Sequence, residues 1–582
     1  MKNSFRLIVA LLISCWCLPL AANPTAQPAP IIRYDSIHHP LVSREGMVVS
    51  QHQLASDVGA RILAQGGNAV DASVAVGFAL AVVLPRAGNL GGGGFMMLHL
   101  AQENKTLAID YREMAPAKAH RDLFLDPEGA VDKQKARFSH AAAGVPGTVA
   151  GLVHAQEKYG SLSLKQVIKP AIELASQGFV VTHDLADKLA NYQHLQKNAA
   201  TREAYYKPDG SPYKAGERLR QKDLAWSLKQ IGKHGAKAFY QGAIAEKIVK
   251  EMAANDGLIS AQDLANYRVL ERQPVMGDYR GYQIASMPPP SSGGVHLVQI
   301  LNTLEPFPMG DFGFGTAQSL HLMTEAMKHA YADRSKFLGD PDFVDVPVAA
   351  LTSKAYGKEL AGRIEVEKAT PSSQIGPALK LADESRDTTH YSIMDKWGNA
   401  VANTYTLNFS YGSGITVPGT GILLNNEMDD FSSKPGVPNA YGLIGAEANA
   451  IEGGKRPLSS MTPTFVFKDG KPLMVIGSPG GSRIITTVLQ VVINVLDHRM
   501  NIADAVHAPR MHHQWLPDRV FMEPGFSRDS QALLQQRGHS TQQVRTMGSV
   551  QAIMWQDGYF LGASDPRRPD AAAARPQVKG KR

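Results

Sequence analysis

TTHYSIMDKWGNAVANTYTLN, residues 388–408, is the stretch that decides the fold. Apolar and polar residues alternate on both sides of DKWG, as they do in half-buried strands, so the stretch predicts a β-hairpin. The five residues before it, DESRD at 383–387, are polar enough to form an exposed loop. We therefore expect the first hairpin strand to begin at Thr388, directly after a charged loop.

The length of the hairpin loop fixes which residues face each other. If KWG at 396–398 is a three-residue loop with its glycine in the left-handed region, Asp395 pairs with Asn399. Continuing the pairs along both strands places Thr388 opposite Thr406. Directly opposite residues have Cβ atoms about 5 Å apart on the same face of the sheet. The register therefore predicts a second hydroxyl beside Thr388.

A threonine hydroxyl becomes a nucleophile only when a base accepts its proton. His390 shares the face of Thr388, but alternate residues of a strand lie about 7 Å apart, too far for a hydrogen bond. A cut between Asp387 and Thr388 would instead create a free α-amine with a pKa near 8, which is a usable base. The alternative interpretation is that TTHYS is an ordinary edge strand, since threonine is common in strands.

Composition and charge limit the class of protein. The chain has 582 residues, of which 44% are hydrophobic and 19% charged, as in an ordinary globular protein. The formal net charge of +7 is small for this length, and no stripe of Lys and Arg is interleaved with aromatic residues. We therefore expect no nucleic-acid partner.

Residues 1–22 predict a secretory signal peptide. A basic start precedes the 12-residue apolar run LIVALLISCWCL, and small residues follow up to Ala22. The run is shorter than the roughly 20 residues of a membrane-spanning helix, although a retained anchor is the alternative. Cleavage near Ala22 would remove Cys15 and Cys17, the only cysteines. The mature protein would then lack disulfides and thiolate chemistry, which fits the bacterial periplasm or the medium.

The remaining patterns predict a layered protein. Residues 54–84 are typical of two helices, of which the second is apolar nearly all round. Residues 318–338 are typical of an amphipathic helix. Residues 471–496 predict a strand, a glycine turn and a helix. Helices before residue 388 and strands after it indicate a helix–sheet–sheet–helix domain built from both parts of the chain.

Several motifs argue against a metal or an organic cofactor. GNLGGGGF at 88–95 lacks the spacing of a dinucleotide site, so close backbone packing better explains its glycines. The turn at 478–481 lacks the GK[ST] of a phosphate-binding loop. His512 and His513 are adjacent and would point in different directions, so we expect no shared metal. Neither HExxH nor GxSxG occurs.

The stretch TTHYSIMDKWGNAVANTYTLNFSYG resembles the signature of the γ-glutamyltransferases, which are N-terminal-nucleophile hydrolases. The resemblance covers about residues 34–567, with further similar segments in the family's order. These segments are GNLGGGGFM (88–96), DYREMAPAKA (110–119), GVPGTVAG (144–151), PPPSSGG (288–294), LLNNEMDDFS (423–432), KRPLSSMTPT (455–464), GSPGGSRI (477–484) and HHQWLPD (512–518). The fold implied is α+β, a four-layer αββα sandwich.

The resemblance also implies autoproteolysis. Thr388 resembles the nucleophile that frees itself, giving a large subunit of residues 23–387 and a small catalytic subunit of residues 388–582. The two subunits would form one domain as a heterodimer, without metal or cofactor. Thr406 resembles the family's supporting threonine, in agreement with the hairpin register.

Other residues resemble the family's binding site. Arg112 is similar to the family's arginine that binds the α-carboxylate of a γ-glutamyl substrate, and Ser459 and Ser460 resemble the hydroxyl residues that assist it. The residues that resemble the ligands of the substrate's α-ammonium are Asn408, Glu427 and Asp430. Gly480 and Gly481 resemble the oxyanion hole, and Tyr441, within 435–450, the gating residue of a lid. From the residues alone, an acidic turn after a strand is the favoured interpretation of LLNNEMDDF, and a tight turn explains the glycine pair as well as an oxyanion hole does.

The implied function is transfer of the γ-glutamyl group of glutathione or related compounds to water, amino acids or dipeptides through a threonine ester. A glutaryl or cephalosporin acylase of the same fold is the alternative. A binding protein that kept the fold without catalysis is a third possibility, and it would remain one intact chain.

Overall fold

Two antiparallel sheets of seven strands each lie face to face at the centre of the protein. The computed structural model describes residues 36–375 and 388–577, so the predicted signal peptide (1–22) and Asp387 lie outside the described residues. In spatial order, sheet I consists of Leu41–Ser43, Tyr559–Ser564, Gln551–Gln556, Lys471–Gly477, Thr464–Lys468, Tyr282–Ser286 and Val275–Tyr279. Sheet II consists of Ala572–Ala574, Gly46–Ser50, Thr389–Asp395, Ala400–Thr406, Gly93–Leu100, Lys105–Tyr111 and Leu270–Arg272.

Helices cover the outer face of each sheet, which confirms the predicted αββα order. The helices on sheet II are Gln53–Ala64, Ala69–Val83 and Thr148–Tyr159, and those on sheet I are Gly293–Leu304, Ile484–Leu496 and Ile502–His507. Further out, Leu164–Gln177 packs on Ala69–Val83, Lys222–His234 on Leu164–Gln177, and Ala317–Phe337 on Gly293–Leu304. The other α-helices are Lys133–Phe138, His183–Asn191, Ala199–Tyr205, Lys237–Tyr240, Ala243–Ala254, Ala261–Asn266, Met309–Phe312, Val348–Leu351, Lys354–Gly362, Ser372–Ile375 and Arg528–Gln536. Short strands lie at Phe179–Val180, Arg218–Leu219, Thr416–Val417, Ile422–Leu423, Met511–His512, Val520–Met522 and Thr541–Gln543, and 3-10 turns at His140–Ala142, Gln193–Lys197, Glu427–Asp430, Glu447–Asn449 and Gly481–Arg483.

The expected division into helices before residue 388 and strands after it is too simple. Sheet II takes four of its seven strands from before residue 388. One of them, Gly93–Leu100, is buried almost throughout, because one face packs on helices and the other on sheet I. A strand buried on both faces has no polar alternation, so periodicity alone could not reveal it.

The two helices predicted for 54–84 are confirmed as Gln53–Ala64 and Ala69–Val83. Gly66 has φ +92°, which ends the first helix. Asn68 caps the second, accepting bonds from the main-chain N–H groups of Val70 and Asp71. All 15 residues of the second helix are buried, as its apolar character predicts.

The hairpin register is confirmed. His390 pairs with Thr404, and the main-chain N–H of Asp395 donates to Asn399 O at 3.0 Å. Gly398 has φ +91°, the left-handed conformation that the three-residue loop requires. The hairpin lies inside sheet II, between strands from earlier in the chain, and is not an edge.

The two sheets pack tightly beneath this hairpin. A Cβ atom added to Gly477 of sheet I would lie 2.3 Å from Cε1 of His390 in sheet II. Glycine at this position therefore leaves room for the imidazole between the sheets. Within the part of the chain that the structure describes, no helix is both long and apolar enough to cross a membrane.

Candidate active site

Thr388 and Thr406 form a pair of hydroxyls at the end of the hairpin. Their Oγ1 atoms are 3.3 Å apart, and both side chains are buried. The main-chain N–H of Asn408 donates to Thr406 Oγ1 at 2.9 Å. The Thr406 proton can therefore point towards the Thr388 oxygen, although 3.3 Å is long for a bond between hydroxyls.

His390 is committed to other partners. Its Nδ1 lies 2.8 Å from Thr404 Oγ1, and its Nε2 lies 3.0 Å from Ser392 Oγ. Burial lowers the pKa of His390 to about 3, so the ring is neutral at pH 7. This agrees with the prediction that His390 is not the base for Thr388.

The glycine-rich segment packs against the main chain of Thr406. A Cβ atom on Gly92 would lie 1.9 Å from Thr406 O, and Asn89 Nδ2 donates to the same oxygen at 2.9 Å. Thr148 Oγ1 in turn donates to Asn89 Oδ1 at 2.7 Å. The prediction of close backbone packing is confirmed, and the contact fixes the strand end that carries the second hydroxyl.

Arg112, Glu427 and Asp430 form a buried ionic cluster. The guanidinium nitrogens of Arg112 lie 2.5 Å from Glu427 Oε1 and 2.5 Å from Asp430 Oδ2. A third carboxylate oxygen, Glu113 Oε2, lies 3.5 Å from Arg112 Nη1. The family resemblance implied opposite charges close together here, and the structure adds that Arg112 forms direct ion pairs with Glu427 and Asp430.

Burial shifts the carboxyl groups of this cluster. It raises the pKa of Glu427 well above its ordinary value, and the Arg112 charge opposes the shift. It also raises the pKa of Glu113 to about 7, again against the effect of Arg112. The like charges of the neighbouring acids add to both shifts, so the cluster holds protons more readily than isolated acids do.

Ser459 and Ser460 lie together with a second arginine that the sequence analysis missed. Arg334 Nη2 donates to Ser460 Oγ at 3.2 Å, and its Nε donates to Ser292 Oγ at 2.9 Å. A signal was present: Arg334 continues the buried stripe of its helix, which runs through Met327 and Tyr331. A charged residue in an apolar stripe marks a buried polar environment.

The glycine turn adopts a conformation that favours glycine, with φ +138° at Gly480 and +55° at Gly481. The Tyr331 hydroxyl donates to the Ser482 carbonyl within the turn. Gly481 lines the same cavity as Thr388, whereas Gly480 is not among the lining residues. The helix Ile484–Leu496 begins directly after the turn, as predicted.

Tyr441 closes one side of the cavity. Its hydroxyl lies 3.0 Å from the Asn408 main-chain oxygen and also contacts the Asn408 side-chain oxygen. Gln514 Nε2 donates to Tyr441 O at 3.2 Å, and the ring meets Phe409 edge-on. Asn408 Nδ2 donates to Asn426 O at 2.9 Å, so the Asn408 amide is held at both ends.

One small cavity, of about 20 Å³, brings most of the predicted site residues together. The predicted residues that line it are Thr388, Thr406, Arg112, Asn408, Glu427, Asp430, Ser459, Ser460, Tyr441 and Gly481. The unpredicted ones are Arg334, Leu443, Leu458, Met461, Ser482 and Ile484. The lining therefore combines the paired hydroxyls of Thr388 and Thr406 with a cluster of opposite charges.

One group of side chains has metal-ligand chemistry. His321, Glu325 and His539 are buried with their ligand atoms within 4.8 Å of one another. However, Lys328 Nζ lies 2.8 Å from Glu325 Oε1 and already supplies a cation there. His512 contacts Thr486, whereas His513 faces Asp518, so these adjacent histidines point to different surroundings.

Comparison with known proteins identifies the family. The sequence model described as gamma-glutamyltranspeptidase matches residues 55–575. The glutathione hydrolase proenzyme of Escherichia coli (strain K12) is 54% identical over 571 residues, which cover 98% of each chain. The structure of cephalosporin acylase from Bacillus halodurans superposes with a TM-score of 0.81 at 27% identity, covering 96% of this chain and 99% of that one. A chain of Helicobacter pylori gamma-glutamyltranspeptidase superposes with a TM-score of 0.55 at 49% identity, covering 56% of this chain and 93% of that one. The chain therefore belongs to the γ-glutamyltranspeptidase family.

Proposed function

We propose that this protein is a γ-glutamyltransferase and glutathione hydrolase that cuts itself between Asp387 and Thr388. The observation that carries the proposal is one cavity lined both by the paired hydroxyls of Thr388 and Thr406 and by a buried ionic cluster. In that cluster Arg112 lies between carboxylates, which suits a donor carrying both an α-carboxylate and an α-ammonium.

Maturation uses the hydroxyl that later performs catalysis. Thr388 Oγ1 attacks the Asp387 carbonyl carbon, the peptide C–N bond breaks, and its nitrogen takes up a proton to become the Thr388 amine. Water then hydrolyses the resulting ester, which restores the hydroxyl and leaves a carboxylate on Asp387. The amine can now accept a proton, which it could not do as an amide.

Turnover follows the same chemistry in two steps. The Thr388 amine takes the hydroxyl proton while the oxygen attacks the γ-carbonyl carbon of the donor, and the Gly480 and Gly481 amides stabilise the oxyanion. The C–N bond to the leaving amine breaks as that nitrogen receives the proton. Water or the amine of an amino acid or dipeptide then attacks the γ-glutamyl ester, which predicts ping-pong kinetics.

Binding of the donor requires an exchange of partners. The substrate carboxylate joins Arg112 and the serine pair, while its ammonium joins Glu427, Asp430 and Asn408. Glu427 Oε2 is buried and has no hydrogen-bond partner among the described residues, so it can accept from the incoming ammonium. Leaving an acceptor unpaired costs about 1–3 kcal/mol, which favours a ligand with a donor at that point.

The residues around the cavity complete the proposal. Tyr441 acts as the gate of a lid formed by 435–450, because it covers the cavity from that segment. Residues 23–387 and 388–582 remain together as a heterodimer after the cut, and the signal peptide directs the protein to the periplasm. Catalysis uses the two threonines and main-chain amides, without a metal or organic cofactor.

Two measurements test this function. N-terminal sequencing of the purified protein should give a start at Thr388 as well as one near Asn23, and the protein should release p-nitroaniline from γ-glutamyl p-nitroanilide. Thr388→Ala should run as one uncut polypeptide on a denaturing gel and be inactive. Cleavage of that variant at the same position would show that another residue performs the cut.

An acylase for glutaryl or cephalosporin side chains is the second candidate, favoured by the match to the Bacillus halodurans cephalosporin acylase. A glutaryl donor lacks the α-ammonium, so it would leave Glu427 and Asp430 without a ligand. We therefore expect glutaryl p-nitroanilide to be turned over at least about 10-fold more slowly than the γ-glutamyl compound. Equal rates would favour the acylase.

A further inference from the structure

A short stretch of main chain before the proposed cut is bound by side chains from distant parts of the sequence. Residues 369–372, here called the docked segment, lead from the helix Lys354–Gly362 into the short helix Ser372–Ile375. Five of its main-chain groups form hydrogen bonds with residues far away in sequence. Main-chain groups that leave water need such partners, and here they lie on two sides of the segment.

On one side lies the helix Ala317–Phe337. The Thr370 N–H donates to Glu325 Oε2 at 3.2 Å, and Lys328 Nζ donates to Thr370 O at 2.8 Å. Glu325 and Lys328 are buried and also pair with each other at 2.8 Å. Their charges are therefore balanced, and each still has an atom to offer to the main chain of Thr370.

On the other side lie residues of the proposed small subunit. The Ser372 N–H donates to Asp518 Oδ2 at 2.8 Å, and Trp515 Nε1 donates to Ser372 O at 2.9 Å. The Ala369 N–H donates to Arg537 O at 2.7 Å. These three bonds join the two parts of the chain that the proposed cut separates.

Trp515 and Asp518 are both prepared for this contact. Trp515 is 1% exposed and has φ +70°, a backbone conformation that is uncommon for an aromatic residue and persists only where the surroundings hold it. Burial alone would raise the pKa of Asp518, but bonds from His513 and the Ser372 N–H outweigh it and hold that pKa below its ordinary value. Asp518 is therefore charged at pH 7, and a charged acceptor strengthens the bond to Ser372.

The docked segment becomes part of a chain end when the chain is cut before Thr388. Chain ends are poorly ordered unless contacts tie them down. None of the five bonds involves the peptide link between Asp387 and Thr388, so the cut removes none of them. The contacts can therefore hold this end after the cut as they do before it.

Four side chains bind the docked segment, namely Glu325, Lys328, Trp515 and Asp518. We propose that they form a main-chain-binding site that keeps the end of the large subunit on the small subunit after the cut. The ligand of this site is the backbone of residues 369–372. The inference rests on the proposed function, because this chain end exists only once the chain has been cut.

Limited digestion of the mature protein with trypsin tests the site. Lys368 is exposed and directly precedes the docked segment, but trypsin can cut after it only when the following main chain leaves its partners. Trp515→Phe keeps an aromatic ring and removes the indole N–H. Cutting after Lys368, followed by the mass of the large subunit, should become about 3- to 10-fold faster in this variant.

Asp518 provides a graded second comparison. Asp518→Ala removes the acceptor of the Ser372 N–H, so cutting after Lys368 should become about 10-fold faster or more. Asp518→Asn keeps an acceptor oxygen and should stay within about 3-fold of the wild type. Equal rates in the alanine variant and the wild type would contradict the binding of Ser372 by Asp518.

Two controls separate release of the segment from general loosening. Trp397→Phe changes a tryptophan that is 46% exposed on the hairpin loop, and it should leave the rate at Lys368 unchanged. Lys358 is exposed within the helix Lys354–Gly362 and should remain slowly cut in every variant. Faster cutting at Lys358 and Lys368 in the same proportion would overturn the proposal.

Hydrogen exchange of the mature wild-type protein needs no variant. The N–H groups of Thr370 and Ser372 should exchange at least about 100-fold more slowly than in a synthetic peptide of residues 365–375. Exchange at the rate of the peptide, in protein shown by sequencing to begin at Thr388, would overturn this inference alone. A wild-type protein that stays uncut would overturn the proposed function and, with it, the role of the site after the cut.

Discussion

The ring of Tyr441 lies directly on the backbone of Gly481. A Cβ atom added to Gly481 would be 2.5 Å from Tyr441 Cδ1, and the residue has φ +55°. The segment that covers the cavity therefore touches the turn that lines it together with Thr388. On the proposed mechanism, the position of the lid and the geometry of the oxyanion site are coupled through this contact.

Gly481→Ala should lower kcat/KM for γ-glutamyl p-nitroanilide by about 10- to 100-fold, because the methyl group displaces either the turn or the Tyr441 ring. Tyr441→Ala should remove the clash. The double variant should therefore lose less than the product of the two single losses, as expected for residues in contact.

Gly470→Ala is the matched control for backbone strain. Gly470 has φ +74°, but no atom lies within 4 Å of an added Cβ. We expect its kcat/KM to stay within about 2-fold of the wild type. Additive losses in the Gly481 and Tyr441 pair would show that the ring contact has no role in turnover.

Thr406→Val tests the second hydroxyl. Valine keeps the shape of threonine but cannot donate to Thr388 Oγ1, so we expect kcat to fall about 10-fold or more and precursor cleavage to slow. Thr404→Val is the control, since its hydroxyl bonds His390 and does not line the cavity. That variant should lose about 1–3 kcal/mol of stability with kcat nearly unchanged. Equal effects on kcat would contradict a specific role for Thr406.

The hairpin was predictable because its information is local. Loop length and alternation fix the register, and the register brings Thr388 opposite Thr406 without any knowledge of the rest of the fold. The glycine-rich segment was predicted to pack closely, but its partner, Thr406 O, lies more than 300 residues away in sequence. Such long-range partners cannot be derived from spacing alone.

Arg334 was missed for a related reason. Its helix was predicted as amphipathic, and although the spacing puts Arg334 in line with Met327 and Tyr331, the sequence does not show what that side of the helix packs against. The members of the ionic cluster were predicted, but their contacts were not. Only the folded chain shows that Arg112 bonds Glu427 and Asp430 directly. Binding-site residues follow from motifs, whereas their mutual contacts follow from packing.

Gly477→Ala tests the packing between the sheets. An added Cβ would lie 2.3 Å from His390 Cε1 and 2.4 Å from its Nδ1, with no room for the imidazole to move between Thr404 and Ser392. We expect a loss of about 1–3 kcal/mol in the free energy of unfolding, measured by urea titration. Gly362→Ala, where no atom lies within 4 Å of an added Cβ, should be nearly neutral. Unchanged stability of Gly477→Ala would mean that the sheets separate easily at this point.

Glu113 should make stability depend on pH. Burial raises its pKa from an ordinary 4.5 to about 7 in the folded protein, so between these values the folded chain holds a proton that the unfolded chain has released. Stability must then fall as pH rises from about 4.5 to about 7, and the effect reaches a few kcal/mol at most.

Glu113→Gln removes this titration, so the wild type should lose stability relative to the variant between pH 5 and pH 8. Thermal midpoints measured in a Thr388→Ala background, where the chain should stay in one piece, make the comparison independent of self-cleavage. A constant difference between the two proteins across this pH range would mean that Glu113 keeps the same charge throughout, and that Arg112 outweighs its burial.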